Sequence, residues 1–192
     1  MVCSRHGLSY ASGRDMATKQ KNLPGPQDLC AACGFCCNGV IFANVKLQQG
    51  DDASRLRQLG LPLKQSTGGS SIRFSQPCVA HEGCRCRIYP DRPVYCRGFD
   101  CLLLQSVKTG GVDAADALRI IRQAQKLVTE VRKLLIELGD TEERKPLRAR
   151  FRDVCRRLEG ASCGTEEAMV FGRLTLAIHD LNLLLAERFY SG

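Results

Sequence analysis

Four cysteines fall within the eight residues Cys30-Ala31-Ala32-Cys33-Gly34-Phe35-Cys36-Cys37. A second group follows at Cys78, Cys84, Cys86, Cys96 and Cys101, so nine of the twelve cysteines lie between positions 30 and 101. Thiols this dense either form disulfides or bind metal. Gly34 permits the tight backbone that a Cys-x-x-Cys-x-x-Cys loop needs around a metal. The sequence therefore predicts a metal-binding cysteine module over residues 29–104.

The length and composition suit a small cytoplasmic protein. The chain has 192 residues, enough for one domain or one domain with an appendage. Residues 1–28 contain no apolar core of a secretory signal, and no stretch approaches the ~20 uninterrupted apolar residues that cross a bilayer. We therefore expect a cytoplasmic location and no membrane segment. In that reducing compartment cysteines indicate metal, whereas a disulfide scaffold would require secretion.

The chain is basic, with a formal net charge of +8. That sum treats every thiol as neutral, but a metal-bound cysteine is a thiolate, and bound cysteines would cancel much of the excess. A nucleic-acid partner is therefore not expected from the charge alone. A protein partner is expected, and the oligomeric state stays open.

Residues 1–28 are predicted to form a flexible tail that closes with a turn at Pro24-Gly25-Pro26. Met16 offers a second start for the reading frame, and residues 1–15 would then be a leader. Cys3 and His6 are for this reason poor ligand candidates. Deletion of residues 1–15 is expected to leave the metal content unchanged.

Short elements are predicted between the two cysteine groups. Residues 40–47 and 72–74 are rich in β-branched and aromatic side chains, as in strands. Asp51 and Asp52 can cap a short helix that ends at Leu59-Gly60. This part of the module is thus expected to contain little regular structure.

From residue 112 the chain changes to long amphipathic patterns. Apolar residues recur at helical spacing from Asp113, a plausible N-cap, to Gly139, a helix stop. They are Leu118, Ile121, Ala124, Val128, Val131, Leu135 and Leu138. Two further helices are predicted, over 146–160 and from Thr165 as N-cap to about residue 189. Residues 112–192 are expected to form a bundle of about three helices.

These patterns predict an α-rich α+β fold. The irregular cysteine-rich module with its short strands should pack on the C-terminal helices, because the module has few large apolar side chains and the helix over 113–138 has an apolar stripe to bury. Cys155 falls on the apolar face of the second helix and is a core residue rather than a ligand. Cys163 lies in the loop that follows and is not assigned a role.

The spacing of the cysteines favours iron–sulfur over zinc. Cys-x-x-Cys-x-x-Cys lets three thiolates wrap one cubane while a fourth comes from elsewhere, and bacterial ferredoxins use this spacing. A single zinc ion needs only four ligands in two pairs, and the chain has too many cysteines for one such site. The adjacent Cys36 and Cys37 suit neighbouring sites, or one ligand and one supporting thiol. We expect one or two [4Fe–4S] clusters, with zinc as the alternative.

Basic residues and prolines are interleaved with the second cysteine group. The four arginines are Arg85, Arg87, Arg92 and Arg97. As a group they are expected to stabilise thiolates, while any one of them fits a solvated loop equally well. Pro90 and Pro93 are expected to exclude regular helix. His81 is interpreted as a loop histidine, not as a zinc ligand beside Cys78.

The same residues resemble a known family. The first run, then Cys78, then residues 86–101 in the pattern Cys-x-Ile-Tyr-x-x-Arg-Pro-x-x-Cys-Arg-x-Phe-x-Cys, are similar to the CxxCxxCC (YkgJ-like) family of zinc- or iron-chelating proteins. The similarity covers about residues 29–101 and holds at every fixed position of the final pattern. It implies eight metal ligands, Cys30, Cys33, Cys36, Cys37, Cys78, Cys86, Cys96 and Cys101. Cys84 is an addition, either a spare thiol or a substitute ligand.

The family includes flagellin lysine N-methylases, in which the module belongs to a larger enzyme. This chain has no Gly-x-Gly-x-x-Gly loop after a strand, so that activity is not carried over. Three functions stay open: a metal-binding, iron–sulfur protein in a redox, sensing or enzyme-support role, a zinc-stabilised protein-interaction module, or a protein-modifying enzyme related to those methylases. No catalytic residues are recognisable, and enzyme status is left undecided.

Overall fold

The computed structural model describes residues 25–66, 69, 71–83, 85–159 and 164–190. In that part of the chain the helices are α1 (Pro26–Cys33), α2 (Ala53–Gln58), α3 (Val94–Gly98), α4 (Leu102–Lys108), α5 (Ala114–Glu137), α6 (Leu147–Glu159) and α7 (Thr165–Arg188). The strands are β1 (Asn44–Lys46), β2 (Lys64–Gln65), β3 (Ile72–Ser75), β4 (His81–Glu82) and β5 (Arg85–Cys86). A 3-10 turn covers Tyr89–Asp91. The predicted α-rich α+β class is confirmed.

Two small antiparallel sheets form the β part of the module. The first has the order β1-β3-β2, with Val45 opposite Phe74, and both side chains are buried. The second is the β4-β5 pair, in which His81 lies opposite Cys86. The strand predicted over 40–47 is limited to β1. The reason is packing, since Val40 is buried in the helical core instead of joining the sheet.

The long helix α5 begins and ends where the sequence predicts. The Asp113 side chain accepts a hydrogen bond from the Asp116 N–H at 2.7 Å, and Gly139 follows the helix with φ of +79°. Six of the seven predicted stripe residues are buried, and Leu118 is half-buried. This stripe packs mainly on α7 and on α1.

The two later helices also match their predicted spans, with one shift at an end. Gly164, not Thr165, is the N-cap of α7. α7 is long and apolar enough to cross a membrane, with a mean hydropathy of 1.3 over its most apolar 18 residues. Length and composition do not separate a membrane span from a core helix, and one face of α7, including Leu174 and Leu181, is buried.

A buried ion pair joins the α5–α6 connection to α6. The Arg150 Nε donates to Asp140 Oδ2 at 2.6 Å, and each side chain is only 4% exposed. The apolar periodicity did not identify Arg150 as an inward residue, because a charged side chain contributes nothing to that pattern. The pair fixes the entry of α6 against the rest of the bundle.

The C-terminal helices pack directly on the first cysteine run, as expected. The rings of Phe35 and Phe189 lie 5.5 Å apart between centroids. The Gln125 side chain donates to the Ala32 carbonyl at 2.7 Å, and the Leu147 N–H donates to the Gly39 carbonyl at 2.9 Å. The first cysteine run and the bundle therefore share one hydrophobic core.

Three short helices were not expected. Residues 26–28, assigned to the tail by sequence, begin α1, where the Asp28 carboxylate accepts the Gly25 N–H at 3.0 Å. Pro93 does not exclude helix but caps the N-terminus of α3, because proline needs no intrahelical hydrogen bond there. Residues 102–108, for which no element was predicted, form α4. Predictions that concern residues 1–24, Cys84 and Cys163 lie outside the described residues.

Candidate metal centre

The first cysteine run is the end of α1 and the turn that follows it. Cys30 and Cys33 are three positions apart on the helix and so share a face. Gly34 ends the helix with φ of +69°, and its N–H donates to the Cys30 carbonyl at 3.0 Å. A Cβ at this position would lie 3.2 Å from the His81 Nε2. Gly34 thus allows both the turn and the close approach of β4, as its predicted role required.

The cysteines of the second group lie on several short elements that surround the first cysteine run. The Cys78 N–H donates to the Cys37 carbonyl at 2.8 Å, which joins the two groups through their backbones. Cys86 lies on β5, Cys96 lies inside α3, and Cys101 is the N-cap of α4. The short elements of the module thus serve to place one cysteine each.

All eight thiols predicted as ligands line one cavity of about 150 Å³. Cys30 is exposed and the other seven are half-buried. None of the nine cysteines described forms a disulfide. The structure therefore brings together every cysteine of the predicted set, and their role as ligands stays a prediction.

The thiols are distributed around the cavity wall and do not converge on a single metal position. Within the described ranges no three cysteine, histidine or carboxylate side chains are grouped as a ready site for a single ion. The donor set nevertheless fits a thiophilic metal group, because soft thiolates select zinc and iron–sulfur centres. Among the described residues that line the cavity there is no carboxylate, so the anionic donors they offer to a metal are thiolates.

Burial raises the pKa of most cavity thiols. The pKa of Cys37 is raised to about 11, and those of Cys33 and Cys96 to about 12, by desolvation and then by neighbouring cysteines. Cys36 is raised further for the same reasons. Clustered thiols with raised pKa values stay protonated at neutral pH, unless a bound cation compensates the negative charge of the thiolates.

One arginine provides part of that compensation. Arg92 lines the cavity and lowers the pKa of Cys30, Cys37 and Cys96 against the opposing effect of burial. Its guanidinium carbon lies 3.7 Å from the centre of the Tyr89 ring, which holds the side chain in place.

The other three arginines are more exposed than Arg92. Arg87 pairs with Glu82 at 3.1 Å and only modestly lowers the pKa of Cys78, behind burial and backbone hydrogen bonds. Arg85 and Arg97 are exposed. The expected effect of the four arginines as a group thus belongs mainly to Arg92.

Two features of the cavity wall were not predicted. Gln76 lines the cavity, is 2% exposed, and its Oε1 has no hydrogen-bond partner among the described residues. Phe42, Tyr95 and Phe99 form an aromatic wall, with Phe42 and Phe99 ring centroids 4.9 Å apart. The signal for the aromatic wall was the presence of Tyr95 and Phe99 beside Cys96 and Cys101 in the sequence. Gln76 carried no recognisable signal.

Two residues that the sequence analysis did not assign as ligands are not part of the cavity lining. His81 lies on β4, half-buried, and burial lowers its pKa. Cys155 is half-buried on α6, where it packs less completely than a core residue. Neither lines the cavity.

The module is similar to a known family. Residues 29–116 match the model of the CxxCxxCC family, whose description reads "Putative zinc- or iron-chelating domain". The matched segment contains every cysteine of the cavity and extends into the first turn of α5. Searches of curated proteins and of solved structures give no match.

Proposed function

We propose that the CxxCxxCC domain at residues 29–116 of this chain holds one or two iron–sulfur clusters, [4Fe–4S] by preference, and that the protein works in electron transfer, redox sensing or the support of an enzyme. The observation that carries the proposal is the single cavity lined by eight free thiols. The ligands are those eight cysteines. When bound, a cluster supplies a one-electron couple.

The residues of the cavity suit this role. The thiols provide soft anionic donors once they lose their protons, and Arg92 offsets part of the charge that then accumulates. Phe42 and Phe99 limit access of water, which protects sulfide and tunes the potential. Tyr95 is part of the aromatic wall of the cavity and is also 37% exposed to solvent. The wall between the cavity and solvent is therefore about one side chain thick at this residue.

Location and partner follow as part of the same proposal. Free thiols and oxygen-sensitive clusters belong in a reducing compartment, so we place the protein in the cytoplasm. A carrier or sensor exchanges electrons or signals with another macromolecule, and we propose a protein partner. No residue of the cavity suggests a catalytic role.

Metal analysis of protein purified without oxygen tests the proposal. We expect brown protein with iron and acid-labile sulfide in equal amounts, and an electron paramagnetic resonance signal after reduction. Colourless protein with stoichiometric zinc would replace the proposal by a zinc-stabilised interaction module. Protein that binds neither metal, even after reconstitution, would refute a metal function. Cys155→Ser serves as the control and should keep the full metal content.

A further inference from the structure

The cysteines of the cavity rest on two different hydrophobic cores. Cys33 and Cys101 pack against the large core that α5, α6 and α7 share with α1. Cys78, Cys86 and Cys96 pack against a separate small core that contains Val45, Leu56, Leu61, Phe74, Ala80 and Ile88. The cavity therefore lies at the seam of two packed bodies, and each body presents its own thiols.

Local geometry assigns the remaining thiols. Cys30 shares its helix face with Cys33, and α1 packs on α4, at whose N-terminus Cys101 lies. Cys37 belongs with the small core, because its carbonyl accepts the Cys78 N–H at 2.8 Å. The adjacent Cys36 and Cys37 then fall on the two sides of the seam.

The electrostatic neighbours divide in the same way. After burial, the pKa of Cys36 is raised most by Cys33, then by the adjacent Cys37, and then by Cys101 and Cys30. For Cys37, the leading charges after burial are Cys78 and Cys86. Cross effects between the two groups centre on Cys37, which also raises the pKa of Cys36 and Cys33, while Cys30 raises the pKa of Cys37 less than Cys78 and Cys86 do.

We infer that the eight thiols form two separate four-thiolate sites. The first set is Cys30, Cys33, Cys36 and Cys101. The second set is Cys37, Cys78, Cys86 and Cys96. The inference rests on the proposed function and assigns each ligand to its site. Four thiolates complete the coordination of a [4Fe–4S] cluster or of a structural zinc ion, so each set is sufficient alone.

Pairs of substitutions separate two sites from one. The double variant Cys30→Ser/Cys101→Ser removes two ligands from the first set and none from the second. The double variant Cys86→Ser/Cys101→Ser removes one ligand from each set. We expect the first pair to retain about half of the wild-type metal per chain and the second pair to retain almost none. Equal metal content in the two double variants would overturn the division. Cys155→Ser controls for loss of a thiol outside the cavity.

Labelling of the wild-type protein covers the case in which the variants unfold. A chelator is added in limiting amounts, the freed thiols are alkylated, and the labelled positions are mapped by mass spectrometry. Two sites predict that the four cysteines of one set are labelled together before those of the other. Labelling of all eight in parallel would overturn the inference while leaving the proposed function intact. A protein without metal would instead refute the proposed function itself.

Discussion

The raised pKa of the Cys37 thiol affects how this residue would bind metal. Burial, followed by Cys78 and Cys86, raises its pKa from 9.0 to about 11. Metal-free Cys37 is therefore protonated at neutral pH, and metal binding must displace that proton. The affinity of the site for metal should thus fall as the pH is lowered.

The raised pKa also makes the metal-free protein sensitive to alkali. The unfolded thiol loses its proton near pH 9, before the folded one does, so stability is full below pH 9 and is lost as the pH rises toward 11. Urea unfolding of metal-free protein at pH 7 and pH 10.5 measures the effect. Cys37→Ala should show a weaker dependence on pH. Equal stability of the wild type at the two pH values would contradict the prediction.

Gln76 is expected to tune the bound group. Its side chain is buried in the cavity wall, and a buried amide needs a partner. The atom without a partner is Oε1, an acceptor, so on metal loading we expect the amide to turn and its NH2 group to donate to a sulfur atom, which favours the reduced and more negative state. Gln76→Leu should then lower the reduction potential by roughly 20–60 mV, from about 0.5–1.5 kcal/mol for one hydrogen bond. The exposed Gln58→Leu is the control, and an unchanged potential in Gln76→Leu would exclude the bond.

At the scale of elements, α5 links the bundle to the module. Val131 is fully buried on the stripe, whereas Ile136 on the same helix is 53% exposed. Val131→Asp should lower the free energy of unfolding by about 3 kcal/mol or more, because an unpaired charge is buried. Ile136→Asp should change it by no more than about 0.5 kcal/mol. Denaturant unfolding of the two variants checks the difference, and similar losses would show that the stripe is not the buried face.

The same elements show which parts of the fold a sequence can predict. α5 was predictable because its cap, its stripe and its stop are all local signals. α1 and α4 were missed because helices of 8 and 7 residues gain their stability from packing, not from their own sequence. The set of cavity cysteines followed from the resemblance to the CxxCxxCC family, but their division did not. That division depends on which core each thiol rests on, and the two cores are assembled from distant residues.

At the scale of the whole molecule, the module depends on the bundle. Leu29 and Phe35 belong to the module, yet most buried residues of the core that contains them lie in the C-terminal helices. A fragment of residues 24–106 would expose these side chains to water. We expect it to aggregate or to bind less metal than the full chain. Deletion of residues 1–15 is the matched control and should retain all metal. A soluble, monomeric and fully loaded fragment would show that the helices are a separate domain.

The contact between Phe35 and Phe189 has a consequence for biosynthesis. Both rings line the cavity, and 154 positions of the chain separate them. A ribosome adds about 5–20 residues per second, so roughly 8–30 s pass between the synthesis of one ring and that of the other. During that interval the first four cysteines have left the ribosome while one side of their cavity is still missing. The nascent chain therefore needs a reducing environment, or a protecting protein, before the wall at Phe189 can close.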